Sequence, residues 1–421
     1  MSAYLQSSEG CIPCFERLLN MKLFQINSTL NWGSTGRIAE EIGQTAISKG
    51  WESYIAYGRY SNGSVSHTIQ IGSRWNVYDH FLRTRLFDNH GLASKRATKD
   101  LINQIENINP DVIHLHNIHG YYLNYKLLFN FFSCVNKPIV WTLHDCWSFT
   151  GHCSYYSYAG CNRWQTLCND CPQKRSYPIS WLLDRSEQNY RDKIQAFTSV
   201  KKLTLVPVSN WLAGEIKQSF LKDYPIKVIH NGIDTDTFVP RELNKVDLGL
   251  EDKFLILGIA SIWSSRKGLA DFIELRKFLP DDYSIVLIGL DEKQIRSLPK
   301  GIVGIKRTNS VGELAAYYSL SDVYFNPTWE DNFPTVNLEA LACGTPVITY
   351  RTGGSVEAVD ENTGFIVEQG DIISVTKIVQ LIKEKGKGYW TSVCRERATS
   401  LYDKRKRYLE YIHLYEKLVN F

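Results

Sequence analysis

Nowhere in this chain do eighteen apolar residues run together, so no helix able to cross a membrane is expected. The N-terminus lacks the basic-then-apolar pattern of a secretory signal, and secretion is not expected either. A strong charge of one sign is also missing. Lys and Arg number 48 against 44 Asp and Glu, and the net +4 is too mild to imply a nucleic-acid partner. Methionine is nearly absent, with Met1 and Met21 its only positions. Met21 opens the first strand-like segment, Met21-Lys-Leu-Phe-Gln-Ile-Asn27, so residues 1–20 read as a loose extension. Cys11-x-x-Cys14 within it has no second pair and no strand–helix context, which makes it a weak site.

What is present suffices for two domains. The chain has 421 residues, of which 43% are hydrophobic, enough for two separate cores. Strand 22–27 runs into Ser28–Arg37, which carries Gly33 and Gly36. A helix follows with Ile38, Ile42 and Ala46 on one face. Glycines at such a turn let backbone amides approach a ligand, and the helix start favours negative charge. Asp111-Val-Ile-His114-Leu-His116-Asn117 and Ile139-Val-Trp-Thr-Leu-His144-Asp145 are buried strands with polar carboxyl ends. Two neighbouring strands ending in His exceed what a core histidine requires.

A second series opens at Phe254–Ala260 and continues through strands at 284–289, 302–305, 323–325 and 346–350. Arg266 and Lys267 sit at its first strand-to-helix turn. They are phosphate-binding candidates, Arg because it engages two oxygens and Lys as a point charge. Further on, Asn326-Pro-Thr-Trp-Glu-Asp-Asn-Phe-Pro leads into a helix at Thr335–Ala342, which Gly344-Thr-Pro346 ends. A helix start at the carboxyl end of a parallel sheet is an anion site. Asp331 and Glu339 flank it, and carboxylates suit sugar hydroxyls. An ordinary strand–helix unit with a solvated acidic turn is the plainer alternative.

Two segments depart from this alternation. Arg74–His90, with Lys95, Arg96 and Lys99 beyond, interleaves aromatics and bases, as either a snorkelling helix or a surface for anionic lipid would. Cys153, Cys161, Cys168 and Cys171 fall within nineteen residues that have little apolar periodicity and need a staple. Free buried thiols, disulfides and a structural zinc all fit. The zinc is preferred, because the closing CxxC is the shortest chelating step for a tetrahedral metal.

The stretch from Asp331 through Glu339-Ala-Leu-Ala-Cys-Gly-Thr-Pro-Val347 to Gly353-Gly354-x-x-Glu357 resembles the nucleotide-sugar site of family-4 glycosyltransferases. Asp331 stands where that family has the first Glu of an E-x7-E pair, with Phe333 as its aromatic. Glu330 is one residue too early. Further resemblances are the glycine loop, the two His-ending strands, Val228-Ile-His-Asn231-Gly232-Ile-Asp234 and the Lys267-Gly268 turn, and together they cover about 400 residues. The resemblance implies an α/β protein of two doubly wound Rossmann-like domains facing a cleft, the GT-B arrangement. Residues 21–240 would form the acceptor-side domain, with the Cys-rich insertion at 151–172. Residues 241–400 would form the donor domain, and a C-terminal helix, 401–421, would return to the first.

The resemblance also implies roles. Glu339 would hold the ribose and Asp331 the sugar hydroxyls. His116 would lie beside the reacting carbon, with His144 and Asp145 in the same cleft. Arg266, replacing the family's Arg at Ser261, would stabilise the leaving diphosphate with Lys267. The loop carrying Lys306 and Arg307 would read the base. Gly33, Gly36, Asn231, Gly232, Phe333, Gly353 and Gly354 would line the donor. The implied activity is retaining, metal-independent transfer from a UDP- or GDP-linked sugar. Its implied acceptor is a lipid-linked or other oligosaccharide of surface polysaccharide synthesis, at the inner face of the cell membrane. A non-catalytic nucleotide-sugar-binding relative and a hydrolase are the alternatives.

Overall fold

The computed structural model describes residues 20–241, 250 and 252–420. Cys11 and Cys14 lie outside them. Twelve strands form two six-stranded sheets. The first holds β1 (Lys22–Asn27), β2 (Glu52–Tyr57), β3 (His67–Gln70), β4 (Val112–Leu115), β5 (Ile139–Leu143) and β6 (Leu203–Pro207). The second holds β7 (Phe254–Ile259), β8 (Tyr283–Ile288), β9 (Ile302–Ile305), β10 (Val323–Asn326), β11 (Val347–Tyr350) and β12 (Gly364–Val367). Every residue of β4, β5, β8 and β10 is buried, as strands covered by helices on both faces must be.

The orders are β3-β2-β1-β4-β5-β6 and β12-β11-β10-β7-β8-β9, parallel throughout. Read from its own first strand, each sheet has the 3-2-1-4-5-6 order. The order reverses between β1 and β4 and between β7 and β10, and ligands gather in such crevices.

The C-terminal helix expected at 401–421 is Lys404–Val419, and a separate helix, Gly388–Leu401, precedes it. The break is imposed by pairing with the 231–234 crossing. Ile233 donates to the Tyr402 carbonyl at 2.8 Å and Lys404 donates back to Ile233 at 2.9 Å. Asp403 then caps the second helix, accepting from the Arg405 amide at 2.9 Å. That helix returns to the first sheet, where Tyr408, Tyr411, Ile412 and Tyr415 pack with Ile38, Ile42, Val112 and Val140. His114 is absorbed here: Tyr415 Oη meets its Nδ1 at 2.6 Å and Thr142 its Nε2 at 2.8 Å.

Candidate active site

The carboxyl edges of the two sheets face one another across a cleft of about 670 Å³. Gly33 lines it at the start of helix Gly33–Ser48, at φ +68°, a backbone conformation that favours glycine. Opposite stand Arg266, Lys267 and Ser261 after β7, Arg307 after β9, and Asp331, Phe333 and Glu339 around the start of helix Thr335–Ala342. His144, Asp145 and Asn231 complete the wall. Most of the expected donor and catalytic residues therefore meet in one space, although they come from loops of both domains.

The charges are already arranged. Lys267 Nζ lies 2.6 Å from Asp331 Oδ2. Burial pushes the Asp331 carboxyl up, but the charge and hydrogen bond of Lys267, with Arg266 nearby, outweigh it and hold the group below its ordinary value. Arg266 donates to the Glu330 carbonyl at 2.6 Å and lies 4.3 Å over the Tyr155 ring. Glu339 is raised by burial, and Tyr318 Oη donates to its Oε2 at 2.9 Å. One oxygen is thus fixed while the carboxylate still reaches the cleft.

His116 does not line the cleft. It is 1% exposed, with Nε2 3.0 Å from Gln25 Oε1 and Nδ1 3.4 Å from His144 Nε2. His144 is the histidine at the surface of the site, and burial lowers its pKa to about 4, so the ring is neutral near pH 7. Asp145 sits beside it, held by His119 Nε2 at 2.9 Å and the Trp147 amide at 2.9 Å.

Four expected donor glycines serve packing. A Cβ on Gly353 would lie 1.9 Å from the Asp331 carbonyl, and one on Gly354 2.0 Å from that of Asn332. Their absent side chains let the 330–334 turn seat itself. Gly232 makes room for Lys404 Cα at 2.7 Å, and Gly36 for Thr29 Oγ1 at 2.8 Å.

The Cys-rich insertion differs from expectation. Cys153, Cys161, Cys168 and Cys171 line one cavity of only about 10 Å³, and all four are free thiols, so the disulfide alternative is not formed. Among the described residues no group of three or more His, Cys, Asp or Glu is placed to hold a metal, so the expected zinc finds no support. The staple is of another kind. Lys193 Nζ donates to the Trp147 and Thr150 carbonyls at 2.5 and 2.9 Å, and Asp88 takes His152 Nδ1 at 2.7 Å. Phe149, Tyr156 and Trp164 form a buried aromatic cluster beneath.

This insertion reaches across the cleft. Glu330 Oε1 accepts from the Ser157 amide at 2.6 Å, Ser157 Oγ at 2.8 Å and the Tyr158 amide at 3.2 Å. Glu357 likewise accepts from the Asn210 and Trp211 amides at 2.9 and 2.7 Å and from His230 at 3.0 Å. Residue spacing gave no sign of either clasp. Arg37 was also missed, although it lines the cleft and draws Glu339 downward. Its spacing carried no signal: at the fifth helical position it lies past the first turn, where the helix dipole has faded.

The segment 74–99 is two helices, Arg74–Phe87 and Lys95–Ile108, separated at Asp88 with φ 52°. Two of its bases are committed elsewhere. Arg83 pairs with Asp79 at 2.8 Å, and Arg85 lies over Phe81 and Trp181 at 4.6 and 5.6 Å. No helix among the described residues is long and apolar enough to cross a membrane.

Two matching sheets, one cleft and, at the second switch point, a cation paired with a carboxylate are what a glycosyltransferase of the GT-B fold presents. Comparison with known proteins agrees. The family model "Glycosyltransferase Family 4" matches residues 35–237, and "Glycosyl transferases group 1" matches 253–384. The chain belongs to the family-4 glycosyltransferases. The Escherichia coli protein named "Putative colanic acid biosynthesis glycosyl transferase WcaC" is 27% identical over 94% of this chain and all of that protein. A GDP-mannose-dependent phosphatidylinositol monomannoside mannosyltransferase of Mycolicibacterium smegmatis is 28% identical over 41% of this chain and half of its own length. Among solved structures, sucrose-phosphate synthase of Thermosynechococcus elongatus superposes with a TM-score of 0.70 at 16% identity, covering 95% of this chain and 99% of that one. Anabaena HepE in complex with UDP-glucose gives 0.64 at 14%, covering 95% and 100%. At such identities these two show the fold.

Proposed function

We propose that the cleft binds a nucleotide-diphosphate sugar, UDP- or GDP-linked, and passes its sugar to an acceptor hydroxyl with retention at the anomeric carbon. The supporting observation is the convergence of Gly33, Arg266, Lys267, Asp331 and Glu339 on one 670 Å³ space. The bond from the anomeric carbon to the diphosphate breaks with both electrons leaving on the diphosphate, the acceptor oxygen bonds to that carbon, and the acceptor's hydroxyl proton passes to an oxygen of the leaving diphosphate. The transition state resembles an oxocarbenium ion. Negative charge grows on the leaving group, so stabilising that group is the main task. Arg266, Lys267 and the helix start at Gly33 supply the positive potential, and the reading is metal-independent on that account. Glu339 takes the ribose hydroxyls and Asp331 those of the sugar. Neutral His144 meets the sugar, with His116 behind it as a positioning residue. Release of nucleotide diphosphate, measured with and without acceptors and with chelator present, tests this. Acceptor-dependent release is expected. A binding-only relative would bind donor without release, and a hydrolase would release equally without acceptor.

The acceptor is read as a lipid-linked oligosaccharide of surface polysaccharide synthesis, supported by the likeness to the colanic acid enzyme. Trp75, Tyr78 and Phe87 are exposed on helix Arg74–Phe87, and Trp181, Leu182 and Leu183 are exposed on the segment whose backbone pairs with the end of that helix. Arg74, Lys95, Arg96 and Lys99 are exposed nearby. Each base near an anionic surface contributes on the order of 1 kcal/mol. The protein is expected to co-sediment with anionic but not neutral vesicles and to be released by high salt. Indifference to anionic vesicles would remove the membrane from this reading.

A further inference from the structure

A second cavity, of about 620 Å³, adjoins the donor cleft, and Trp32 lines both. Two loops build it, 28–33 after β1 and 58–63 after β2. They are zipped together: Arg59 donates to the Ser28 carbonyl at 3.0 Å, Leu30 to Tyr60 at 2.9 Å and Asn62 to Leu30 at 2.9 Å. Asn31 Nδ2 adds a bond to Gly63 at 2.6 Å and Asn62 Nδ2 one to Asn31 at 2.8 Å. This makes a preformed wall at the carboxyl edge of the first sheet.

On that wall Trp32 and Tyr60 are 48% and 51% exposed, with ring centroids 4.7 Å apart. Large aromatics held half in water beside a catalytic cleft offer an apolar face and a polar edge, which a pyranose ring matches. Arg59 lies 5.1 Å over the Tyr60 ring, and Arg74 lines the same cavity. Neither arginine has an ion pair among the described residues, and no carboxylate lines the cavity. Two cations left unneutralised around an open space favour an anion, which a guanidinium engages through two oxygens.

We infer that this cavity is the acceptor subsite and that it selects an anionic saccharide. The sugar ring stacks on Trp32 and Tyr60, and its phosphate or carboxylate is held by Arg59 and Arg74. The inference rests on the donor reading of the adjoining cleft, because Trp32 joins the two spaces. It goes beyond that reading in naming the charge of the acceptor and the residues that choose it.

The test is binding, read as quenching of tryptophan fluorescence in the wild-type protein. The probes are octyl glucoside below its micellar concentration, octyl glucuronide, glucose 1-phosphate and inorganic phosphate. At least one anionic glycoside is expected to bind saturably and roughly tenfold or more tighter than the neutral glucoside, the increment of a charge-assisted contact. Inorganic phosphate alone should bind far more weakly than the anionic glycoside. Preference for glucose 1-phosphate assigns the anion to a phosphate linker, and preference for the glucuronide assigns it to an acidic sugar. Arg59→Ala and Arg74→Ala should each reduce the preference, whereas Arg74→Lys should retain part of it. Equal affinity for neutral and anionic glycosides, or no saturable binding of any anionic one, overturns the inference without need of a variant. Nucleotide-sugar binding, followed by thermal shift, is a separate readout, so failure of the donor reading would be seen independently.

Discussion

Around the switch point of the second sheet Lys267, Arg266 and Glu339 are already held by neighbours. Lys267 is paired to Asp331 at 2.6 Å, Arg266 is tied to the Glu330 carbonyl at 2.6 Å, and Glu339 is fixed by Tyr318 at 2.9 Å. Along the carboxyl edge of the first sheet, after β1, β2 and β3, Trp32 and Tyr60 stand half in water and Arg59 and Arg74 have no ion pairs among the described residues. The two halves share one strand order and differ in how their edges are finished. A network closed in advance loses nothing to reorganisation when charge develops, which suits a leaving group that is always a diphosphate. An open aromatic and cationic edge suits a partner met from outside.

The largest break in that comparison is Lys267→Ala. Loss of one preorganised donor to the departing group should lower kcat/KM by roughly 100-fold or more in steady-state transfer assays. The same change leaves the partly buried Asp331 without its nearest cation, so affinity for free nucleotide diphosphate should fall too. Wild-type turnover in this variant would separate Lys267 from the phosphates. The corresponding loss at the first sheet, Arg59→Ala, should act on the acceptor side alone.

How much of this the sequence carried depends on what fixes each element. Strands such as Ile139–Leu143 and Tyr283–Ile288 are buried along their whole length, so composition alone marks them. The edge strand His67–Gln70 is mostly exposed and shows neither an apolar run nor a clean alternation. Helix Tyr125–Cys134 was likewise not marked. Asp331 and Glu339 were legible because one turn and one helix carry both. Glu330 looked like a misplaced copy of Asp331. Its partners, Ser157 and Tyr158, lie in an insertion more than a hundred and seventy positions away, and no local pattern encodes such a contact. His116 and His144 have equal standing in sequence, and only the packing of Gln25 shows which is the inner one.

Glu330→Ala should release one of the two clasps between the halves without removing either cation. Ser157 and Tyr158 would lose a carboxylate acceptor, and hydrogen bonds to charged groups contribute about 1.5–3 kcal/mol each with partners left unsatisfied. Thermal stability should fall, and backbone hydrogen exchange should quicken across 151–172. Unchanged exchange there would show that the insertion is held by its own core alone. A smaller effect is expected at the carboxylates of the cleft. Glu339→Gln should weaken free nucleotide about tenfold by calorimetry, whereas Asp331→Asn should mainly slow transfer. Equal effects on nucleotide affinity would mean that the two do not divide ribose from sugar.

The smallest effect concerns the second clasp and is read through pH. Burial pushes the Glu357 carboxyl up, but the His230 hydrogen bond and the Asn210 and Trp211 amides outweigh it, so the group lies below its ordinary value of 4.5. A carboxylate depressed on folding stabilises the folded state above the ordinary range, and that contribution is lost as pH falls through the folded value. Asp331, depressed as well, acts in the same direction. Wild-type protein should therefore lose stability on acidification below about pH 4.5 more steeply than Glu357→Gln, which keeps an oxygen for the amides but has no charge to lose. Glu357 is only half buried, so solvent screening shrinks the difference, and a gap of about 1–2 °C in Tm is expected at pH 6. That gap should close as the pH is lowered. Parallel acid limbs in the two proteins would show that Glu357 joins the halves by shape and hydrogen bonds, with no contribution from its charge.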